Sequence, residues 1–189
     1  MPKKRSVKRH LVTQPSDSSY RLIPLTRGKN AIVDAEDFEW LSKWNWCTAL
    51  TGRGPLFSFY AARSYWTKKG SRFLFMHNVI FGDRCDHKNR NGLDNRRENL
   101  RACTPLQNSR NRGISKNNIS GFKGVSFIAS INKWRARITA NGKSKFLGYF
   151  TSKELAACAY DLAAKKLFGE FAAPNFSTIG QCQRTISLD

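Results

Sequence analysis

The stretch "CDHKNRNGLDNRRENLRACTPLQN", Cys85 to Asn108, holds one Asp-His pair, five asparagines and five basic residues. Asparagine is a poor former of helices and strands, so these carboxamides mark turns or a polar site rather than a core segment. Asn89, Asn91 and Asn95 suit a turn between two strands, with Asn91-Gly92 as its pivot. Thr104-Pro105 predicts a helix start, with Thr as N-cap and Pro at the first helical position. Gly113 is the expected stop. Asn108 then lies in the first helical turn, with Arg112 one turn further on the same side.

Outward from this stretch the chain divides by composition. Residues 1–19, basic and then polar, predict a disordered arm, and "PKKRSVKR" suits a nuclear import signal or a phosphate-gripping arm. Residues 20–83 predict a mixed unit. "YRLIPLT" and "AIVD" are short strands joined by "RGKN", and "DAEDFEWLSKW" is a helix with Asp34 as N-cap and Phe38 and Leu41 on its apolar side. The acids of Asp34–Glu39 are expected on a face turned away from a polyanion. "FSFYAARSYW" and "RFLFMHNVIF" read as strands across the "TKKGS" turn. Residues 114–120 are a linker.

Residues 121–176 predict three strands and one helix. "FKGVSFI", "KWRARITA" and "KSKFLGYF" are the strands, with Asn141-Gly142 as a two-residue hairpin turn. Thr151 and Glu154 form a capping box for an alanine-rich helix that stops at Gly169. Alternation in "KWRARITA" sets Trp134, Ala136, Ile138 and Ala140 on a face packed against that helix. Arg135, Arg137 and Thr139 then share the exposed face. The tail, 177–189, is uninformative. The fold class is therefore α+β.

Charge bounds the partner. Lys and Arg number 33 against 13 Asp and Glu, a formal net charge of +20, and the excess runs the length of the chain. Such an excess calls for a polyanion, nucleic acid first. No segment approaches the roughly 18 apolar residues of a spanning helix, so no membrane partner is expected. The five cysteines contain no CxxC pair, which argues against a zinc ribbon and for reduced thiols. No secretory signal is present.

The spacing D-H-x11-N-x8-N suits phosphodiester hydrolysis. A histidine near its ordinary pKa can take a proton from water at neutral pH. A hard divalent ion prefers a few protein oxygens plus water and phosphate. The Asp86 carboxylate and the Asn108 carboxamide oxygen suit such an ion. Adjacent residues on a strand point to opposite sides, so Asp86 and His87 divide the work of metal ligand and base. Asn99 can orient the imidazole by hydrogen bonding.

"MHNVIFG" followed by "CDHKNRNGLDNRRENLRACTPLQNSRNR" resembles an HNH endonuclease of the homing type, over about residues 20–113. The resemblance implies a ββα-metal motif, with Asp86 and Asn108 as metal ligands, His87 as general base and Asn99 orienting it. The first histidine of the motif is Asp86 here, and Asn78 stands where "MHR" is usual. Residues 120–176 resemble the APETALA2/ethylene-response-factor domain through "GFKGV", "KWRARI", "FLGYF", "AACAYDLAAKKLFG" and "NF", without that family's "PWG". By position, this implies DNA contacts from Lys123, Ser126, Arg137, Thr139, Ser144 and Phe146.

These readings converge on a metal-dependent, sequence-recognising DNA endonuclease of homing type, a phosphodiester hydrolase. The expected ion is Mg2+, with Mn2+ an alternative. The expected partner is double-stranded DNA, bound by a monomer or weak dimer, with no small-molecule substrate. Arg96, Arg97, Arg110 and Arg112, with Arg135 on the sheet, are expected to hold phosphates. A phage or bacterial cytoplasm is the expected compartment, with a nucleus allowed by the N-terminal run. The alternatives are a non-catalytic DNA-binding regulator and a basic RNA-binding protein, the latter without aromatic RNP signatures.

Overall fold

The computed structural model describes residues 9–51, 58–111, 113–114, 117–176 and 182. It is a mixed α+β chain in two compact units, Met1–Pro105 and Leu106–Asp189.

The first unit opens with β1 (Tyr20–Pro24) and β2 (Asn30–Asp34), paired antiparallel. The turn between them sets Arg27 and Gly28 at positive φ. α1 follows (Ala35–Ser42), then β3 (Cys47–Thr51), β4 (Ser58–Thr67) and β5 (Gly70–Phe75) in one antiparallel sheet. The run "MHNVIF", expected to extend a strand, is instead α2 (Met76–Phe81). Met76, Val79 and Ile80 have the i, i+3, i+4 spacing that puts apolar groups on one helix face, and all three meet the core. A two-stranded sheet completes the unit: β6 (Cys85–His87) against β7 (Leu100–Ala102). α3 (Pro105–Arg110) begins at the expected proline.

The core of this unit gathers Ile23, Leu25, Ala31, Val33, Leu41, Trp46, Ala61, Met76, Ile80 and Leu100. Trp46 is buried and its indole N–H donates to the Leu41 carbonyl at 2.8 Å, which satisfies the one polar atom of that side chain. Residues 9–19, expected as part of a disordered arm, lie against this unit. Arg9 donates to the Trp46 carbonyl and to Asn45, and Gln14 exchanges two hydrogen bonds with the Leu22 backbone. Residues 1–8 are outside the described residues.

The second unit is β8 (Val125–Ile128), β9 (Lys133–Ala140) and β10 (Lys143–Phe150) in the order β10-β9-β8, all antiparallel, with α4 (Lys153–Phe168). The expected hairpin is present: Asn141 and Gly142 are both at positive φ between the Ala140–Lys143 pair. α4 is capped by Ser152, whose hydroxyl accepts from Leu155 N at 3.1 Å, one residue after the expected Thr151. Ala156, Ala157 and Ala164 are fully buried, and they pack in clusters with Ala136 and Ile138. Gly124 takes a φ of +78°, and a Cβ there would collide with the Tyr160 ring and the Arg137 carbonyl. Glycine is therefore required by both conformation and space. Asp161 ties the end of the fold back, accepting from the backbone of Asn175 and Phe176.

Among the described residues no helix is long and apolar enough to cross a membrane. All five cysteines are free thiols.

Candidate active site and nucleic-acid interface

Asp86 and His87 lie on β6 in register with Arg101 and Leu100 of β7. Both are buried. The Asp86 carboxylate faces its cross-strand partner, with Arg101 Nη2 donating to Oδ2 at 3.0 Å. Burial holds the His87 pKa below its ordinary value, against the opposing pull of Asn95, Asp86 and Asp94. A lowered value keeps the imidazole neutral at pH 7, the state a general base needs.

Two rings meet the imidazole, and a third backs them. His77, on α2, meets His87 edge to face with centroids 4.8 Å apart. Tyr60, on β4, approaches both histidines, at 5.7 Å from His87 and 5.6 Å from His77. Phe75, at the end of β5, stacks on His77 at 5.5 Å. Burial pushes the His77 pKa down to about 4, and proximity to His87 adds to it, so His77 is neutral as well.

The asparagines of the 88–99 loop divide by contact. Asn89 and Asn91 cap its turns, accepting from Asn91 N and Leu93 N. Asn89 Nδ2 also donates to the Asp94 carboxylate at 2.9 Å. Asn99, expected beside the imidazole, uses its carboxamide on the loop, accepting from Asn89 N at 3.0 Å and donating to Asp94 O at 2.7 Å. The carboxamide oxygen of Asn95, fully buried, faces His87 Nε2 at 3.5 Å. Ile32 of β2 clamps the loop by accepting from Asn95 N and donating to Leu93 O. The positive φ in this loop belongs to Arg90 rather than to the expected Asn91-Gly92 pivot. Gly92 serves a different need: a Cβ there would sit 2.5 Å from the Phe59 carbonyl and the Tyr60 ring.

Arg96 and Arg97, expected as phosphate contacts, are engaged inside the unit. Arg96 grips Asp94 through Nε and Nη2 and reaches Glu98. Arg97 holds buried Asp37 through two bonds of 2.9 Å and reaches Glu36. Asp34, expected as the α1 cap, stands at that position but accepts from Arg97 N at 2.8 Å. Asp34, Glu36 and Asp37 are thus receptors for Arg97.

Asn108 lies in the second unit, exposed on α3. Arg110 donates to the Asn141 side chain at 3.0 Å and stands over the Phe168 ring at 4.9 Å. Arg112 is outside the described residues. Among the described residues no three His, Cys, Asp or Glu side chains converge as a metal cluster. A carboxylate beside a neutral imidazole does fit a hard ion that takes one or two protein oxygens and fills its shell with water and phosphate.

The exposed face of the second unit follows from strand register. Ser126, Arg135 and Tyr149 form one cross-strand row, Arg137 and Phe146 a second, Thr139 and Ser144 a third. A bulge between Phe146 and Gly148 turns the strand so that Phe146 and Tyr149 share this face, their rings 4.9 Å apart. Tyr149 was not anticipated; the interior glycine at 148 is the signal that marks such a bulge. Lys123 Nζ donates to the Arg110 carbonyl at 2.9 Å.

The chain belongs to the HNH endonuclease family. The relative that shows this is an uncharacterized HNH endonuclease of Acanthamoeba polyphaga mimivirus, 34% identical over 167 residues and spanning 84% of this chain and 82% of that protein. Protein 3.8 of Escherichia phage T7 is 36% identical over 87 residues, 46% of this chain and 71% of its own length. An AP2-like ethylene-responsive transcription factor of Arabidopsis thaliana is 32% identical over 81 residues, 43% of this chain and 23% of the plant protein. No family model matches the chain.

Proposed function

We propose that the protein is a metal-dependent endonuclease of homing type that hydrolyses phosphodiester bonds in double-stranded DNA. The observation that carries this reading is the buried, neutral His87 imidazole beside the Asp86 carboxylate, in a chain of the HNH family. His87 takes the proton from the attacking water. With its oxygen toward Nε2, Asn95 favours the tautomer protonated there, which places the basic lone pair on Nδ1. Asn99 acts on the imidazole indirectly, by fixing the loop that carries Asn95. The Tyr60, His77 and Phe75 rings hold the imidazole plane and exclude bulk water.

By the family resemblance, Asp86 and Asn108 are the residues that would hold a divalent ion, Mg2+ or Mn2+, which would supply polarisation of the phosphate and stabilisation of the leaving oxygen. Arg101 holds the Asp86 carboxylate in place through its Nη2–Oδ2 hydrogen bond.

The second unit is the site-locating module. Its Arg137, Thr139, Ser144 and Phe146 are exposed on one sheet face, with Arg135 and Ser126 half-buried beside them, and β-sheets are a known means of reading a DNA groove. Lys123 and Arg110 hold the edge of that sheet in place. The plant relative, a transcription factor by name, favours DNA binding by this module, and it also favours the second reading, a DNA-binding regulator without catalysis. The viral and phage relatives favour an element carried by viruses.

Incubation with supercoiled plasmid and Mg2+, beside an EDTA control, separates the two readings. Nicking that EDTA stops is the expected result. Binding without nicking favours the regulator.

A further inference from the structure

The hairpin of β4 and β5 extends past the sheet that anchors it. β3 pairs only with Ser58–Ala62 of β4. Arg63 to Thr67 continue outward, paired with β5 alone as far as Thr67–Gly70. This two-stranded ribbon has the composition of a nucleic-acid contact. Arg63, Lys68, Lys69 and Arg72 lie on it, and no acid occurs between Glu39 and Asp83.

Most of its aromatic side chains fall on one face; Tyr65, 46% exposed, lies on the other, opposite Arg72. Residues two apart on a strand, and partners across a pair, share a side. Tyr60, Ala62, Ser64 and Trp66 therefore share a face with Phe75, Phe73 and Ser71. The inner members of that face, Tyr60 and Phe75, are the rings that wall His87 and His77. The outer members are bare: Trp66 is 83% exposed and Phe73 55%. The same face thus runs without a break from the proposed base to an uncovered aromatic tip.

We infer that this ribbon is a second DNA-binding element, lying in a groove of the duplex being cut. Trp66 and Phe73 pack on base edges and sugars, and Lys68, Lys69 and Arg72 hold the flanking phosphates. The inference rests on the nuclease reading for its substrate. A two-stranded ribbon fits the major groove, and apolar wedges against base steps are a known means of gripping DNA. From Tyr60 to Trp66 the strand advances by about 20 Å, at about 3.3 Å per residue. That reach corresponds to about six base pairs from the scissile phosphate, at about 3.4 Å each.

The test titrates full-length protein into a labelled duplex of about thirty base pairs over a range of salt. Lys68→Ala/Lys69→Ala/Arg72→Ala should weaken binding at least tenfold at about 0.1 M salt and make the log–log salt slope shallower by about two to three, since each phosphate contact contributes about 0.9. Trp66→Ala should weaken binding several-fold at an unchanged slope. Affinities within twofold of the parent and an unchanged slope in both variants would overturn the inference. So would a loss seen with a single-stranded probe but not with the duplex. Melting curves check the fold; should the triple variant unfold, Lys68→Glu alone, in the exposed turn, must still cost threefold or more. Plasmid nicking by the unaltered protein is scored separately. Its absence would sink the nuclease reading, while the ribbon stands or falls on binding.

Discussion

The rings of His77 and His87 meet edge to face, 4.8 Å apart, in a pocket closed by Tyr60 and Phe75. His87 is thereby held by packing from two other elements, α2 and β4, as well as by its own hairpin. An imidazole so held would need no reorganisation before acting as the proposed base, and small displacements of it would be expensive.

On the proposed mechanism His77 is a positioning residue, through its ring contact with His87. His77→Phe should keep most of the nicking rate, because the phenyl ring fills the same space between Phe75 and His87. His77→Ala should lower the rate by about tenfold or more, since misplacement alone can cost that much, with DNA affinity unchanged. Single-turnover nicking and a binding titration on both variants check this. Equal losses in both would instead assign His77 a chemical role.

Gly92 presses on the β4 backbone and the Tyr60 ring, with no room for a Cβ. Gly92→Ala should destabilise the protein by about 1–3 kcal/mol, the usual cost of overpacking, and should push Tyr60 off His87. A thermal melt and the nicking rate should both fall. A variant with parental stability would show that the loop has room the structure does not display.

Arg97 is bound to Asp37, Glu36 and, through its backbone, Asp34. Arg97→Ala should therefore lower the melting temperature and leave the salt slope of DNA binding as it was. A phosphate contact would give the opposite pattern, with a shallower slope at parental stability.

Asp94 provides a pH signature. Burial alone would raise its pKa, but the hydrogen bonds and charge of Arg96, with Asn89, outweigh that and hold it below the ordinary carboxylate value. A carboxylate with a lowered folded pKa stabilises the fold above its unfolded value, about 3.9. The contribution is lost as pH falls through the lower, folded value. Melting temperature should drop in that acid window, and Asp94→Asn should be less stable at neutral pH with a flatter acid limb. An acid limb as steep as the parent's would place the titration elsewhere.

Arg135→Ala with Arg137→Ala removes two cations from the exposed sheet face. Binding to the preferred site should weaken, while Mg2+-dependent nicking of excess non-specific DNA should persist. Loss of both activities would contradict the division of labour between the units.

Local patterns were legible where one physical rule dominated. "KWRARITA" alternates without a break, and β9 spans those residues with Ala136 and Ile138 inward. "NG" at 141–142 meets the one turn type that needs two positive φ angles. "RFLFMHNVIF" reads as one strand because its two apolar stretches are each too short for a period to separate strand from helix, and the chain changes from β5 to α2 inside it, where Met76, Val79 and Ile80 take the helical spacing. The site was legible in part. The Asp86-His87 pair stands out by type, but the choice between Asn95 and Asn99 depends on how the loop turns, which β2 imposes through Ile32. Tyr60, Gly92 and the Arg97 clamp are contacts between distant segments. Nothing in their local sequence announces them.

The central claim is that His87 is the base of a nuclease. The most direct measurement compares parent and His87→Ala for nicking of supercoiled plasmid with Mg2+ and for binding to the same DNA. The account predicts a loss of about 10²–10⁴ in rate, the range for a general base, with DNA affinity close to parental. Parental nicking by His87→Ala, or equal loss of binding and nicking, would contradict it.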